Sequence, residues 1–326
     1  VSAVTRPNVS KRFVRLLVAG LLLALSSVGA QAAPERLTLG TATPGGGFEL
    51  YGGVLAQVVN EAKPSFALEA TATKGSRENI PLLEQGKLDI ALVASLPAQE
   101  ALAGIGRAEP SPLKIITAIY PTFGAFAVRG DSPARTFDDL IGQRVAWGTS
   151  ASGLTLLGKY VTEGLGLDRD ADFQAEYLEK AGLGAPMVLE GDVDALWGGG
   201  VGWPNFTKIM QGGGRLVGMT AEQTAKVSDA FAFLTPMTLP AGAYPGQAEP
   251  LETVASFSFV LARSDLPDET AYRLAKAIHQ AQPALAARLA QGRETLPENT
   301  IKGAAAVEHI HPGVQQYLQE LGLLPR

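Results

Sequence analysis

Short apolar runs alternate along this chain with longer stretches whose apolar residues recur every three or four positions. "ERLTLGTA" (35–42) reads as a strand, and an apolar-periodic helix follows over Tyr51–Glu61. "FALEATAT" (66–73) alternates with Phe66, Leu68 and Ala70 on one face, as a half-buried strand does. "SRENIPLLEQGK" (76–87) has helical spacing, and "LDIALVAS" (88–95) is a buried strand running into a loop at Ser95. The pattern then restarts. Two extended stretches in "KIITAIYPTFGAFAVRGDSPA" precede a short helix "TFDDLIGQ", a strand "RVAWG" and a Gly/Ser loop opening a helix in "TSASGLTLLGKYVTEGLGL". "AEYLE" and "DVDALWGGG" are two more strands with a helix between them. A late strand in "ASFSFVLARSDLP" leads to a C-terminal helical region, "DETAYRLAKAIHQAQPALAARL", which Pro283 is expected to break or kink.

Strands alternating with helices predict an α/β fold with mostly parallel sheets. Two such sets predict two lobes joined by extended crossings near residues 124–130 and 254–262, with a cleft between them. The expected division is lobe one over 33–126, lobe two over 127–258, and a return to lobe one with C-terminal helices over 259–326. In sheets of this kind ligands bind at the carboxyl ends of strands, in loops that open helices. Three Gly/Ser-rich loops fall there: "TATPGGGFELYGG" (41–53), "TKGSREN" (73–79) and "GTSASGLT" (148–155).

Glycine lets backbone N–H groups approach a ligand, and a helix N-terminus favours negative charge. The run Gly45–Gly47 is not a dinucleotide fingerprint, because G-x-G-x-x-G would place Leu50 at the last glycine. "TKGS" is no P-loop, since its lysine precedes the glycine. A tight turn is the plain alternative for the run, and helix capping the plain alternative for Ser76 and Ser152. Lys74 and Arg77 flank the second loop as candidate partners for an anion or as solvated surface charges. Trp203, after "GGGVG", suits either core packing or the cleft wall, whereas Trp147 and Trp197 are expected to pack inside lobe two.

Residues 1–32 carry Lys11, Arg12 and Arg15, then about fifteen apolar residues and "AQA" at Ala30–Ala32. This is the pattern of a cleaved secretory leader with the mature chain starting near Ala33, and the apolar run is short for a bilayer span. Its removal leaves 23 basic against 32 acidic residues, about −9, which argues against nucleic-acid or anionic-membrane partners. There is no cysteine, hence no disulfide, thiolate metal site or cysteine nucleophile. His309 and His311 form an H-x-H pair without nearby acidic partners, so no metal site is assigned. "GTSASG" misses G-x-S-x-G because Ser152 stands at the last glycine, and no nucleophile–base pair emerges. Neither an enzyme nor a bound cofactor is expected.

In order, "GGGFELYGGVLAQVVN", "ATATKGSRENIPLLEQGKLDIALVAS", "TFDDLIGQRVAWGTSASG", "GDVDALWGGGVGWP", "LPAGAYPGQ" and "HPGVQQY" resemble the TAXI family of extracytoplasmic solute-binding proteins. These serve TRAP transporters, tripartite ATP-independent systems for organic acids. The resemblance implies a two-lobed periplasmic-binding-protein fold, type II-like, closing over a small carboxylate. It also implies a periplasmic monomer whose partners are the small and large membrane subunits of a permease. A ligand-sensing module, or less readily a secreted hydrolase, is the alternative. Carried over, the site would comprise Gly46, Gly47, Phe48 and Tyr51; Gly75, Ser76 and Ser95; and Ser150, Ser152, Gly153 and Trp203, with Lys74 and Arg77 beside them. Glu49 stands where the family usually has a tyrosine, and Leu154 where it commonly has a threonine. Lys74 and Arg77 replace residues that are usually small or apolar.

Overall fold

The computed structural model describes residues 1–3, 35–231 and 233–325, so the expected leader and its cleavage point lie outside the described residues. The chain divides into two compact units, Val1–Glu35 and Arg36–Arg326, and the fold is that of the second. Its first half runs β1 (Glu35–Gly40), α1 (Gly47–Glu61), β2 (Phe66–Thr71), α2 (Ser76–Glu84), β3 (Ile90–Val93), α3 (Ser95–Ala103) and β4 (Lys114–Phe123). There follow β5 (Ala125–Val128), β6 (Arg144–Ala146), α4 (Gly153–Leu165), β7 (Gln174–Glu176), α5 (Gly184–Glu190), β8 (Ala195–Gly198), α6 (Pro204–Gln211), β9 (Arg215–Val217) and α7 (Ala221–Ala230). The chain ends in β10 (Thr235–Leu239), β11 (Leu251–Ala262), α8 (Asp268–Arg288), α9 (Pro297–Gly303) and α10 (Pro312–Glu320).

Two sheets result. One has the order β10-β11-β3-β1-β2 with β4 also on β11; the other has the order β7-β6-β8-β5-β9. Strands β3 and β5 are buried at every residue, as central strands covered on both faces must be. Helix α1 turns Tyr51, Leu55, Val58 and Val59 inward, a spacing of three to four that makes one apolar stripe. The second sheet is centred on Phe126, whose ring lies 5.0 Å from Trp197 and 5.4 Å from Trp147, edge to face.

Mostly parallel sheets were expected, but both are mixed. The pairs β1–β3, β6–β7 and β6–β8 are parallel, while β11 runs antiparallel to β3, β4 and β10, and β5 antiparallel to β8 and β9. Every antiparallel pair involves β5 or β11, the strands next to the crossings between the lobes. In β11, Val254 and Ala255 pack in the cores of the second sheet, whereas Val260, Leu261 and Ala262 pack in those of the first. Between them the pairing with β4 shifts register at Phe257/Phe259, opposite Pro121, which has no N–H to donate. Gly124 joins β4 to β5 and donates its N–H to the Val254 carbonyl at 3.2 Å.

Two local expectations differ from the structure. Ser95 begins helix α3 rather than a loop, and α1 starts four residues before Tyr51, at Gly47. Helix α8 continues through Pro283 to Arg288. The His311 ring accepts the Gly313 N–H at 3.3 Å and caps α10.

His279 on α8 is 9 % exposed, with Nε2 2.9 Å from the Thr117 hydroxyl, and burial holds its pKa down at about 4. The folded state therefore prefers the neutral ring. Between pH 6.5 and 4 the unfolded chain binds the extra proton, and stability is lost as pH falls, by about 3 kcal/mol in all. The melting temperature should drop across this window, and His279→Gln should flatten the drop. An equally steep profile in that variant would exclude His279 as its source.

Candidate functional site

Three helix N-termini meet where the two sheets face each other. Helix α1 begins at Gly47 after the N-cap Gly46, which offers no side chain; α2 begins at Ser76 after Gly75; α4 begins at Gly153 after Ser152. First-turn N–H groups have no acceptor within their own helix, so such ends are anion-seeking. Here the N–H groups of Gly47, Phe48, Ser76 and Gly153 have no acceptor among the described residues. Around these ends lies a cavity of about 60 Å³, measured as the space open to the centre of a water molecule.

Its walls come from both lobes. Gly46, Gly47, Phe48, Lys74, Gly75 and Ser76 belong to the first sheet's loops, and Ser152, Gly153 and Trp203 to the second's. Ala94, Tyr120 and Thr122 at the ends of β3 and β4 complete one side; Thr149, Leu154, Leu178, Ala181 and Trp197 complete the other. Among the described residues no aspartate, glutamate, histidine or arginine is in the lining, and Lys74 is its single charged residue. Glu49 is half-buried on α1 and outside the lining.

Four expected site residues lie elsewhere. Tyr51 is wholly buried in the first core with its hydroxyl 2.6 Å from that of Thr295, because the helix turns position 51 to the sheet and not to the cleft. Ser95 is buried at the start of α3, its hydroxyl accepting from the Gln99 amide at 3.2 Å. Arg77 and Ser150 line a separate hollow with Lys159, Glu163 and Arg169. Arg77 still serves the closure through its backbone, whose N–H donates to the Ala151 carbonyl across the cleft at 3.1 Å.

The serines divide in role. Ser152 caps α4, accepting the Leu154 N–H at 3.1 Å. Ser76 accepts the Ala94 N–H at 3.1 Å and keeps its own proton available at the cavity. Trp203 is both wall and core. The indole is 4 % exposed, packs edge to face on Phe206 at 4.9 Å and leaves Nε1 without a hydrogen-bond partner among the described residues. The "GGG" before it is needed for this: a Cβ on Gly198 would lie 1.8 Å from the indole ring. Sequence reading missed Tyr120, which lies on a crossing strand. Its hydroxyl also has no partner among the described residues, and burial, then the Tyr51 and Tyr244 phenols, push its pKa well above the ordinary tyrosine value. It stays protonated and can donate.

The lobes meet on both flanks of the cavity. The Thr43 hydroxyl accepts the Ala181 N–H at 3.2 Å, and the Pro44 carbonyl accepts that of Gly182 at 3.3 Å. Gly45, at φ +80°, lies so close to Gly182 that a Cβ would stand 2.6 Å from its Cα. Away from the cavity, the Tyr160 hydroxyl on α4 donates to Glu100 on α3 at 2.8 Å.

The NMT1-like family model matches residues 39–322, from β1 through the end of α10. The chain belongs to the NMT1-like family. The fold of this NMT1-like protein is that of periplasmic binding proteins. The aliphatic sulphonate binding protein SsuA of Escherichia coli is 19 % identical, with a TM-score of 0.50 over 88 % of this chain and 83 % of that one. The alkanesulfonate-binding SsuA of Xanthomonas axonopodis pv. citri, bound to MOPS, is 17 % identical, with a TM-score of 0.52 over 90 % and 96 %. A structure described as a periplasmic transporter is 14 % identical, with a TM-score of 0.55 over 90 % and 94 %.

Proposed function

We propose that this NMT1-like protein is an extracytoplasmic solute receptor. It captures a small organic acid by closing two lobes over it and hands it to the membrane subunits of a TRAP-type permease. The observation that carries the reading is the cavity between the sheets, on which three uncapped or self-capped helix N-termini and Lys74 converge. Such an arrangement stabilises a carboxylate through backbone donors, and contacts from the second lobe favour the closed state by their differential affinity. Among the described residues its lining holds no histidine or carboxylate to activate a serine, which suits binding rather than turnover. The leader-like residues 1–32 and the binding-protein fold support export to the periplasm.

A thermal-shift screen of ligand-free protein against carboxylates, amino acids and sulfonates tests the receptor role. A true ligand at about a hundred times its dissociation constant should add about 2.7 kcal/mol of stability. No saturable shift from any organic anion would overturn it. Uptake of the ligand by cells holding the cognate permease should continue without ATP and stop when the ion gradient is collapsed; uptake that needs ATP would exclude the TRAP partner.

A further inference from the structure

The polar groups of the cavity are not spread evenly over its walls. Around Gly47, three unsatisfied donors gather. A point at the Cβ position of Gly47 lies 3.7 Å from the Tyr120 hydroxyl and 3.8 Å from Trp203 Nε1, and the Gly47 N–H itself opens α1. Both side chains are 4 % exposed; Trp203 Nε1 is buried without a partner, and the Tyr120 hydroxyl makes no hydrogen bond among the described residues. Buried donors left unmade cost free energy, so a group that accepts from all three is favoured there. All three are neutral, and with the positive end of a 15-residue helix they suit one negative charge.

Beyond this seat the walls turn apolar, with Phe48, Ala94, Leu154, Leu178 and Trp197. The lining offers no buried cation for a second charge, because Arg77 faces the other hollow and Lys74 is exposed. Space is short as well. The space open to the centre of a water molecule is only about 60 Å³, which suits a small solute.

We infer that the ligand is a small monoanion, a short monocarboxylate whose charged end sits between Gly47, Tyr120 and Trp203. This rests on the solute-receptor reading and narrows it, since a dicarboxylate would bury a second charge against apolar walls.

Calorimetric titration of the full, ligand-free protein with propionate, lactate, pyruvate, succinate, 2-oxoglutarate and ethanesulfonate decides the matter. A short monocarboxylate should bind best, and the dicarboxylates at least about tenfold more weakly. Tyr120→Phe should weaken the best ligand by about tenfold or more, the size of a lost hydrogen bond to a charged group. Gly47→Ala places a methyl 3.2 Å from the indole, inside the seat, and should weaken it similarly while the helix tolerates alanine. Melting curves of both variants show that they fold. Tighter binding of a dicarboxylate, or unchanged affinity in both folded variants, would overturn the inference and leave the receptor reading standing. Ethanesulfonate as the best ligand, weakened by the same variants, would keep the single-anion seat and overturn the carboxylate. Silence from every anion would overturn the receptor reading itself.

Discussion

Gly153→Ala is expected to weaken solute binding by about tenfold to a hundredfold without unfolding the protein. Gly153 opens helix α4 in the second lobe, and a Cβ there would stand 2.3 Å from the Ala94 Cβ at the end of β3 in the first. The collision exists only when the lobes are together, so its cost falls on the closed state. Overpacking of this kind costs about 1–3 kcal/mol, and every 1.4 kcal/mol is tenfold in affinity. Small-angle scattering of the variant should show a larger radius of gyration, and the apo melting temperature should hold. The double variant Gly153→Ala with Ala94→Gly removes the colliding methyl and should recover most of the affinity. Wild-type affinity in the single variant would mean that the ligand-bound state does not bring these two positions together.

Gly199→Ala should act on folding instead. It follows β8, and its Cβ would lie 1.7 Å from the Phe123 carbonyl oxygen, a backbone atom at the crossing between the lobes. Backbone cannot step aside as a side-chain tip can. A loss of about 3 kcal/mol is expected, and about 6 °C or more in melting temperature for a chain of this length. Urea denaturation should give the same loss in free energy. A melting temperature within a degree of wild type would show that this crossing shifts freely.

Much of this architecture is legible in the amino-acid sequence alone. The βα alternation marks both sheets because buried central strands such as "IALV" and helices such as α1 carry distinct apolar periods. The three Gly/Ser loops that meet at the cavity announce themselves by composition, since close backbone approach needs residues without side chains. Orientation around a helix is not legible when its first residue is uncertain. A start of α1 at Tyr51 rather than Gly47 makes Tyr51 a rim residue, when it lies a full turn inside the helix and faces the core. Tyr120 is hidden for another reason. It lies in a ten-residue strand whose apolar run looks like interior throughout, and only the crossing between lobes brings that position to the cavity. Strand β10 gives no signal either, because its mostly exposed "TPMTL" has none of a buried strand's pattern.

Lys74 bears on how quickly the solute arrives rather than on how tightly it stays. The chain carries a net charge of −5, so an approaching anion meets an unfavourable field over most of the surface. Lys74 is exposed at the cavity, and its ammonium group has no ion-pair partner among the described residues. A solvated charge of that kind adds little binding energy. It does provide a local attraction that would guide an anion toward the cavity, over a range of about 8 Å in physiological salt. Rising ionic strength should therefore slow association of an anion and leave escape nearly unchanged, which would suit rapid refilling under the proposed receptor role.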